Sequence, residues 1–257
     1  MKEIIKEKLL EIESSEKVRI IAAIESGSRA WGFASSDSDY DVRFIYYRPE
    51  DEYLRLDKTR NVIEWQLDEV LDINGWDIKK TLQLLHDSNP TVFEWCSSSV
   101  VYKSSRQFEK LKDLSNKYFS PKKSLYHYWH MAEGNYRNYL LGDQVKVKKY
   151  FYVLRPILAA KWVIDKKTAP PMLFSDLIKA ELDPAIKPEV ERLLKMKREL
   201  PEMGMAKKVT VLNDYIEDTL SLFKNIADEM SESRVEWTEL NEYFKQLVKE
   251  NCSMKSF

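Results

Sequence analysis

Two apolar runs, joined by a small-residue turn and a pair of acids, constrain this chain more than any other stretch. Residues 20–45 read IIAAIESGSRAWGFASSDSDYDVRFI. Ile20 to Ile24 is apolar throughout, as a buried strand requires. It ends in Glu25-Ser26-Gly27-Ser28, where small residues let backbone approach a ligand closely. A second run, Tyr40 to Tyr47, reads as another strand, stopped by Arg48-Pro49. Asp39 and Asp41 stand two apart at its start, so on a strand they share one face. Side-by-side carboxylates repel and add nothing to folding. A hard divalent cation removes the repulsion, because Mg2+ is held by one or two carboxylates together with substrate phosphates. The Gly27-Ser28 turn offers backbone N–H groups to such phosphates.

The rest of the chain reads as α+β. Residues 2–16 have Ile4, Ile5, Leu9 and Ile12 at helical spacing among Lys and Glu. The first strand runs from Val18 to Ile24, and residues 50–60 are a charged surface excursion. Residues 61–73 form one long strand, or two short ones turning at Leu67-Asp68-Glu69. The second reading leaves Asp72 between apolar neighbours on a central strand. Asn74-Gly75 is then expected to turn the chain into a helix from Trp76 to His86, supported at its start by Asp77, with Lys79 and Lys80 in solvent. Thr91 to Cys96 reads as a short helix capped by Asn89 or Ser88. Val100 to Lys103 suits an edge strand, and Ser104 to Lys117 a helix. Strand, helix and strand in this order give a mixed sheet.

After Ser120 the pattern is helical at 121–141, 145–165, 174–182, 186–199, 207–230 and 235–250. Pro170-Pro171, Pro184, Pro188 and Pro201 to Gly204 punctuate it. The expected domains are therefore 1–120, carrying the Gly-Ser and Asp-x-Asp motifs, and an all-helical 121–257. With 257 residues, 44% of them hydrophobic and 32% charged, the chain has room for both. A net charge of −1 gives no overall basic field to attract nucleic acid. Cys96 and Cys252 are too far apart in sequence for a disulfide framework or a metal-ligand motif, which points to a reducing compartment. The charged N-terminus is unlike a signal peptide, and no stretch is apolar enough to span a bilayer. The cytoplasm is the expected location.

If 145–165 is helical, Lys148, Tyr152 and Arg155 fall at i, i+4 and i+7 on one face. A cation, an aromatic ring and a guanidinium in line suit phosphate, base and phosphate. Lys149, Tyr152 and Pro156 form a second possible stripe, and Pro156 is expected to bend or restart the helix. The competing reading is an amphipathic helix with its tyrosines in the core. His127 and His130 stand three apart without a recognised ligand pattern around them, and read as a packed pair.

The order Gly-Ser, spacer, Asp-x-Asp resembles the signature of the DNA polymerase beta-like nucleotidyltransferases. The longer run GSRAWGFASSDSDYDVR is similar to a bacterial branch found near RNA ligases in RNA-repair gene clusters. The likeness runs from the N-terminal helix to about Met172, and is sharp at 26–43, at 71–95 (with SNPTVFEW) and at 148–156 (within KKYFYVLRP).

That resemblance implies a nucleotidyltransferase fold with a helical domain closing over the nucleotide. It also implies transfer of NMP from an NTP to a hydroxyl: an RNA end, a protein side chain or a small molecule. Two Mg2+ or Mn2+ ions about 3.5–4 Å apart would stabilise the attacking and leaving oxygens. Two ions need more than Asp39 and Asp41. The third acid is Asp72, whose segment LDINGWDIKK resembles the family's corresponding one, with Glu64 and Asp68 as rivals. Gly27, Ser28 and Arg29 would meet the phosphates, with Lys148, Tyr152 and Arg155 completing the nucleotide site. The alternatives are an antibiotic-type adenylyltransferase of like architecture, and a non-catalytic nucleotide sensor or toxin–antitoxin-like module.

Overall fold

A computed structural model describes the chain except for residues 36–37, 69, 200–203, 232–234 and 253–257. It divides into two compact units. Of the described residues, the first holds those within Met1–Gly27, Asp39–Tyr118 and 235–252, and the second those within Ser28–Ser38 and 119–231. The break after Tyr118 lies close to the expected boundary, but two segments cross it. Residues 28–38 join the helical unit, and the C-terminal helix joins the sheet.

The first unit is built on a five-stranded mixed sheet of order β3-β4-β2-β1-β5. Its strands are β1 (Arg19–Glu25), β2 (Tyr40–Tyr47), β3 (Val62–Leu67), β4 (Leu71–Asp77) and β5 (Val101–Ser104). β1 pairs antiparallel with β2 and with β5, and β3 antiparallel with β4. β2 and β4 run parallel, with Asp41 opposite Asp72 and Arg43 opposite Asn74. The period of two sorts the side chains. Val42, Phe44 and Tyr46 pack with Ile63, Leu71 and Ile73 against Ile5, Leu9 and Ile12 of α1 (Lys2–Glu16). Asp41, Arg43, Asp72 and Asn74 therefore share the opposite face.

Residues 61–73 are two strands, as the second reading has it. Asp68 makes the turn, its Oδ1 accepting the N–H groups of Val70 and Leu71, each at 2.8 Å; Glu69 lies outside the described residues. Asn74-Gly75 is not a turn. β4 runs through it to Asp77, and the helix begins only at Ile78. Gly75 is there for room: a Cβ on it would lie 2.3 Å from Cδ2 and Cε2 of the buried Phe44 ring. The helix α4 (Ile78–His86) is capped by Asp77, which accepts from the Lys79 N–H at 2.8 Å. The surface excursion contains a short helix, α3 (Glu50–Tyr53). After α5 (Pro90–Ser97), capped by Asn89, and α6 (Arg106–Ser115), the sheet unit is completed by α12 (Thr238–Cys252).

The second unit packs α7 (Pro121–Tyr139), α8 (Val147–Lys166), α9 (Phe174–Glu181), α10 (Lys187–Glu199) and α11 (Thr210–Glu229) around one apolar core. It is not wholly helical: β6 (Gln144–Lys146) and β7 (Met205–Lys207) pair as a ribbon. Residues 201–203, within the Pro201 to Gly204 break, lie outside the described residues. Pro156 neither ends nor restarts α8, which is a single element with Pro156 inside it. Residues Val153 to Ala160 are all buried, and that tertiary packing offsets the backbone hydrogen bond that proline removes. The segment 28–38 is anchored in this core by Phe33, whose ring centroid lies 5.3 Å from those of Phe151 and Phe174. Among the described residues no helix is long and apolar enough to cross a membrane.

Candidate active site

The candidate site lies on the face of the sheet opposite α1. Asp41 on β2 and Asp72 on β4 lie side by side by strand register. Between them sits Arg43, two residues beyond Asp41 and so on the same face. Its Nη2 donates to Asp41 Oδ1 at 2.9 Å and to Asp72 Oδ2 at 2.7 Å. Its Nη1 donates to the Val42 and Asp72 carbonyl oxygens at 3.1 and 3.0 Å. Asn74 Nδ2 reaches the other Asp72 oxygen at 3.3 Å.

Burial pushes the Asp41 carboxyl above its ordinary range. The Arg43 charge pulls it back, while the Asp72 and Asp39 charges push it further up. Asp39, just ahead of β2, is exposed and within electrostatic reach of Asp41. These are hard oxygen donors whose mutual repulsion a dication would relieve. Among the described residues, however, no three His, Cys, Asp or Glu side chains are placed to hold one ion. A cation already stands where Asp41 and Asp72 would share one.

Gly27 closes one side of the Asp41 carboxylate. Its φ is +58°, and a Cβ there would lie 1.9 Å from Asp41 Oδ2. Only glycine both adopts that backbone and leaves that space. Gly27 opens α2 (Gly27–Ala30), a four-residue helical turn that follows β1 after Ser26.

Behind the acids, Glu25 is almost fully buried at the end of β1. Its Oε1 accepts the Asp41 N–H at 2.7 Å, and its Oε2 accepts from the Tyr102 hydroxyl. The Ser26 N–H donates to the Asp41 carbonyl at 2.8 Å. The backbone of Asp41 is thus held from both sides.

The rival acids have other surroundings. Glu64 is exposed on β3, opposite Asn74, and Asp68 serves its turn. The other expected nucleotide ligands belong to the helical unit. Arg29 donates from Nη2 to the Ser38 carbonyl at 2.6 Å and braces the 28–38 segment. Lys148 and Tyr152 are half-buried on α8, and Tyr152 meets Trp31 edge-on at 5.9 Å. Arg155 is buried, its guanidinium 4.5 Å from the centre of the Trp31 ring and its Nη2 directed at the Met172 carbonyl at 3.4 Å. Ser28 is half-buried and accepts the Phe33 N–H at 3.2 Å through its carbonyl. The His130 ring packs on Trp129 at 4.4 Å and on Tyr126 at 6.4 Å.

Sequence reasoning missed Arg43, Glu25 and Tyr102. The same period of two that pairs Asp39 with Asp41 also places Arg43, so that signal was present. The Glu25–Tyr102 contact depends on β1 pairing with β5, which no local pattern states.

Residues 1–246 match the family described as the RNA repair pathway DNA polymerase beta family. The chain is 43% identical over 253 residues to the uncharacterized protein YcgL of Bacillus subtilis, covering 97% of each. A solved structure, that of a nucleotidyltransferase-like protein from Exiguobacterium sibiricum, matches 87% of this chain and 74% of its own. That match has 13% identity and a TM-score of 0.32.

Proposed function

The chain belongs to the RNA repair pathway DNA polymerase beta family and is a polymerase beta-like nucleotidyltransferase, and we propose that it transfers NMP from an NTP to the terminal hydroxyl of an RNA. The carrying observation is the convergence of Asp41 and Asp72 across the β2–β4 pair, with Asp39 within electrostatic reach and the Asp41 carboxylate packed against the bare Gly27.

In this reading Asp39 and Asp41 would hold a Mg2+ ion, with Asp72 as the third carboxylate. When bound, that ion supplies charge neutralisation for the phosphates and for the oxygens that gain charge in transfer. The protein's own groups do the rest. Gly27 and Ser28 meet the triphosphate, Gly27 through its backbone N–H and Ser28 through its hydroxyl. Asp72 accepts the proton of the attacking hydroxyl. Glu25 and Tyr102 keep the Asp41 backbone fixed, so its carboxylate is set in advance. Asn74 and Arg43 orient Asp72.

The test is incubation with each labelled NTP, Mg2+ and RNAs with free or phosphorylated ends. The expected result is a labelled, extended RNA with wild type and none with Asp41→Asn. Transfer to an aminoglycoside instead of RNA would move the assignment to the small-molecule class. Nucleotide binding without transfer to any acceptor would reduce the chain to a sensor.

A further inference from the structure

We infer that Arg43 is a resident cation of the active site, taking the position between Asp41 and Asp72 that a bridging dication would occupy, so that the nucleotide-free protein loads one dication, on Asp39 and Asp41. The inference rests on the site assignment above. It concerns how the site is filled, not which reaction it runs.

The geometry is specific. One guanidinium nitrogen bonds a single oxygen of each carboxylate, at 2.9 and 2.7 Å, while the other is tied to the Val42 and Asp72 carbonyls. A cation shared by Asp41 Oδ1 and Asp72 Oδ2 would have to take the place of Nη2. The other Asp41 oxygen, Oδ2, packs against Gly27. Arg43 is only 16% exposed, so it is held there and does not sample solvent freely. Charge agrees with position: the guanidinium answers the two carboxylates it bridges, and the Asp39 carboxylate lies within electrostatic reach of Asp41. Arginine cannot lose its proton in a protein, so the block can be lifted only by movement of the side chain.

The experiment is titration of the nucleotide-free full-length protein with Mn2+, following free Mn2+ by electron paramagnetic resonance. Wild type is expected to bind one Mn2+ tightly. Arg43→Met should gain a second Mn2+, or bind Mn2+ about thirtyfold more tightly. That is the effect of one elementary charge roughly 4 Å from a dication at water-like screening. Arg43→Lys, which keeps the charge, should stay near wild type in number bound. Asp72→Asn should weaken the tight ion by no more than about tenfold, the effect of losing one charge roughly 6 Å from a dication, because in this account Asp72 does not hold it. This variant also serves if Arg43→Met does not fold.

Loss of the tight ion in Asp72→Asn overturns the inference. So does a folded Arg43→Met that binds Mn2+ like wild type, or a wild type that binds two ions or none. Wild type that shows this binding pattern but transfers no NMP sinks the functional reading and leaves the role of Arg43 standing. Transfer with the wrong pattern does the reverse.

Discussion

Replacing Gly27 by alanine should damage the site through a contact that can be counted. The backbone at Gly27 is left-handed, with φ +58°. An alanine held there costs roughly 1–2 kcal/mol. The added Cβ would lie 1.9 Å from Asp41 Oδ2. Carbon and oxygen approach to about 3.3 Å at the closest, so the carboxylate must retreat by roughly 1.4 Å. The same carboxylate accepts from Arg43 at 2.9 Å, and that retreat breaks the bond. A hydrogen bond to a charged group contributes about 1.5–3 kcal/mol, less where solvent screens it, as at this half-buried carboxylate. Gly27→Ala should therefore cost about 2–4 kcal/mol of stability in urea denaturation, with the m-value unchanged. A double-mutant cycle isolates the contact. With Asp41→Ala already present there is no oxygen to strike, and Gly27→Ala should cost only the backbone part. The coupling should be about 1–2 kcal/mol. Mn2+ binding should weaken in parallel, because the displaced carboxylate is a proposed ligand. A Gly27→Ala protein as stable as wild type, or two substitutions that simply add, would refute the claim that this glycine makes room for Asp41.

Gly75→Ala places a Cβ 2.3–2.5 Å from three carbons of the Phe44 ring, and should lower stability by about 1–3 kcal/mol, with Phe44→Leu in the same chain recovering part of it. Glu25→Ala leaves the Asp41 N–H and the Tyr102 hydroxyl without their acceptor and should lower both the melting temperature and Mn2+ affinity; Glu25→Gln, which still accepts from Asp41, should largely restore both. Asp77 caps α4 and accepts from the Tyr53 hydroxyl at 2.9 Å, and burial raises its carboxyl above the ordinary 3.8. The native carboxyl thus keeps its proton to higher pH than the unfolded one, so native protein binds more protons in that window, and stability falls as pH rises through it. Asp77→Asn keeps the cap without the charge. Its stability relative to wild type should therefore improve from pH 4 to pH 7, and a flat difference across that range would contradict the burial account.

The sheet and the acids were legible because both rest on local periodicity. Ile20 to Ile24 and Tyr40 to Tyr47 are apolar runs of strand length, and the Asp-x-Asp spacing reads directly as one face. Asn74-Gly75 was misread because a glycine signals either a turn or a close approach, and only the neighbouring strand tells which. Phe44 is thirty-one positions earlier in the chain, and parallel pairing alone brings it onto Gly75. The β6–β7 ribbon escaped for a like reason: Gln144–Lys146 and Met205–Lys207 are too short to carry a pattern, and become strands only by finding each other.

Arg155 shows the limit of reading a helix as a wheel. Spacing puts Lys148, Tyr152 and Arg155 on one side of α8 but does not say what covers that side. Arg155 is buried with its guanidinium over Trp31, and Tyr152 meets the edge of the same ring. Trp31 lies in the segment that also carries Ser28 and Arg29, and the Phe174 N–H donates to its carbonyl at 3.0 Å. A charged residue buried in this way is costly unless it is well paired, and here stacking and a carbonyl contact offset the cost. The arrangement makes Arg155 a brace for the segment that carries Trp31. Spacing matches Arg155 to a phosphate and Tyr152 to a base; in the fold the Arg155 guanidinium lies over the face of Trp31 and the Tyr152 ring meets its edge.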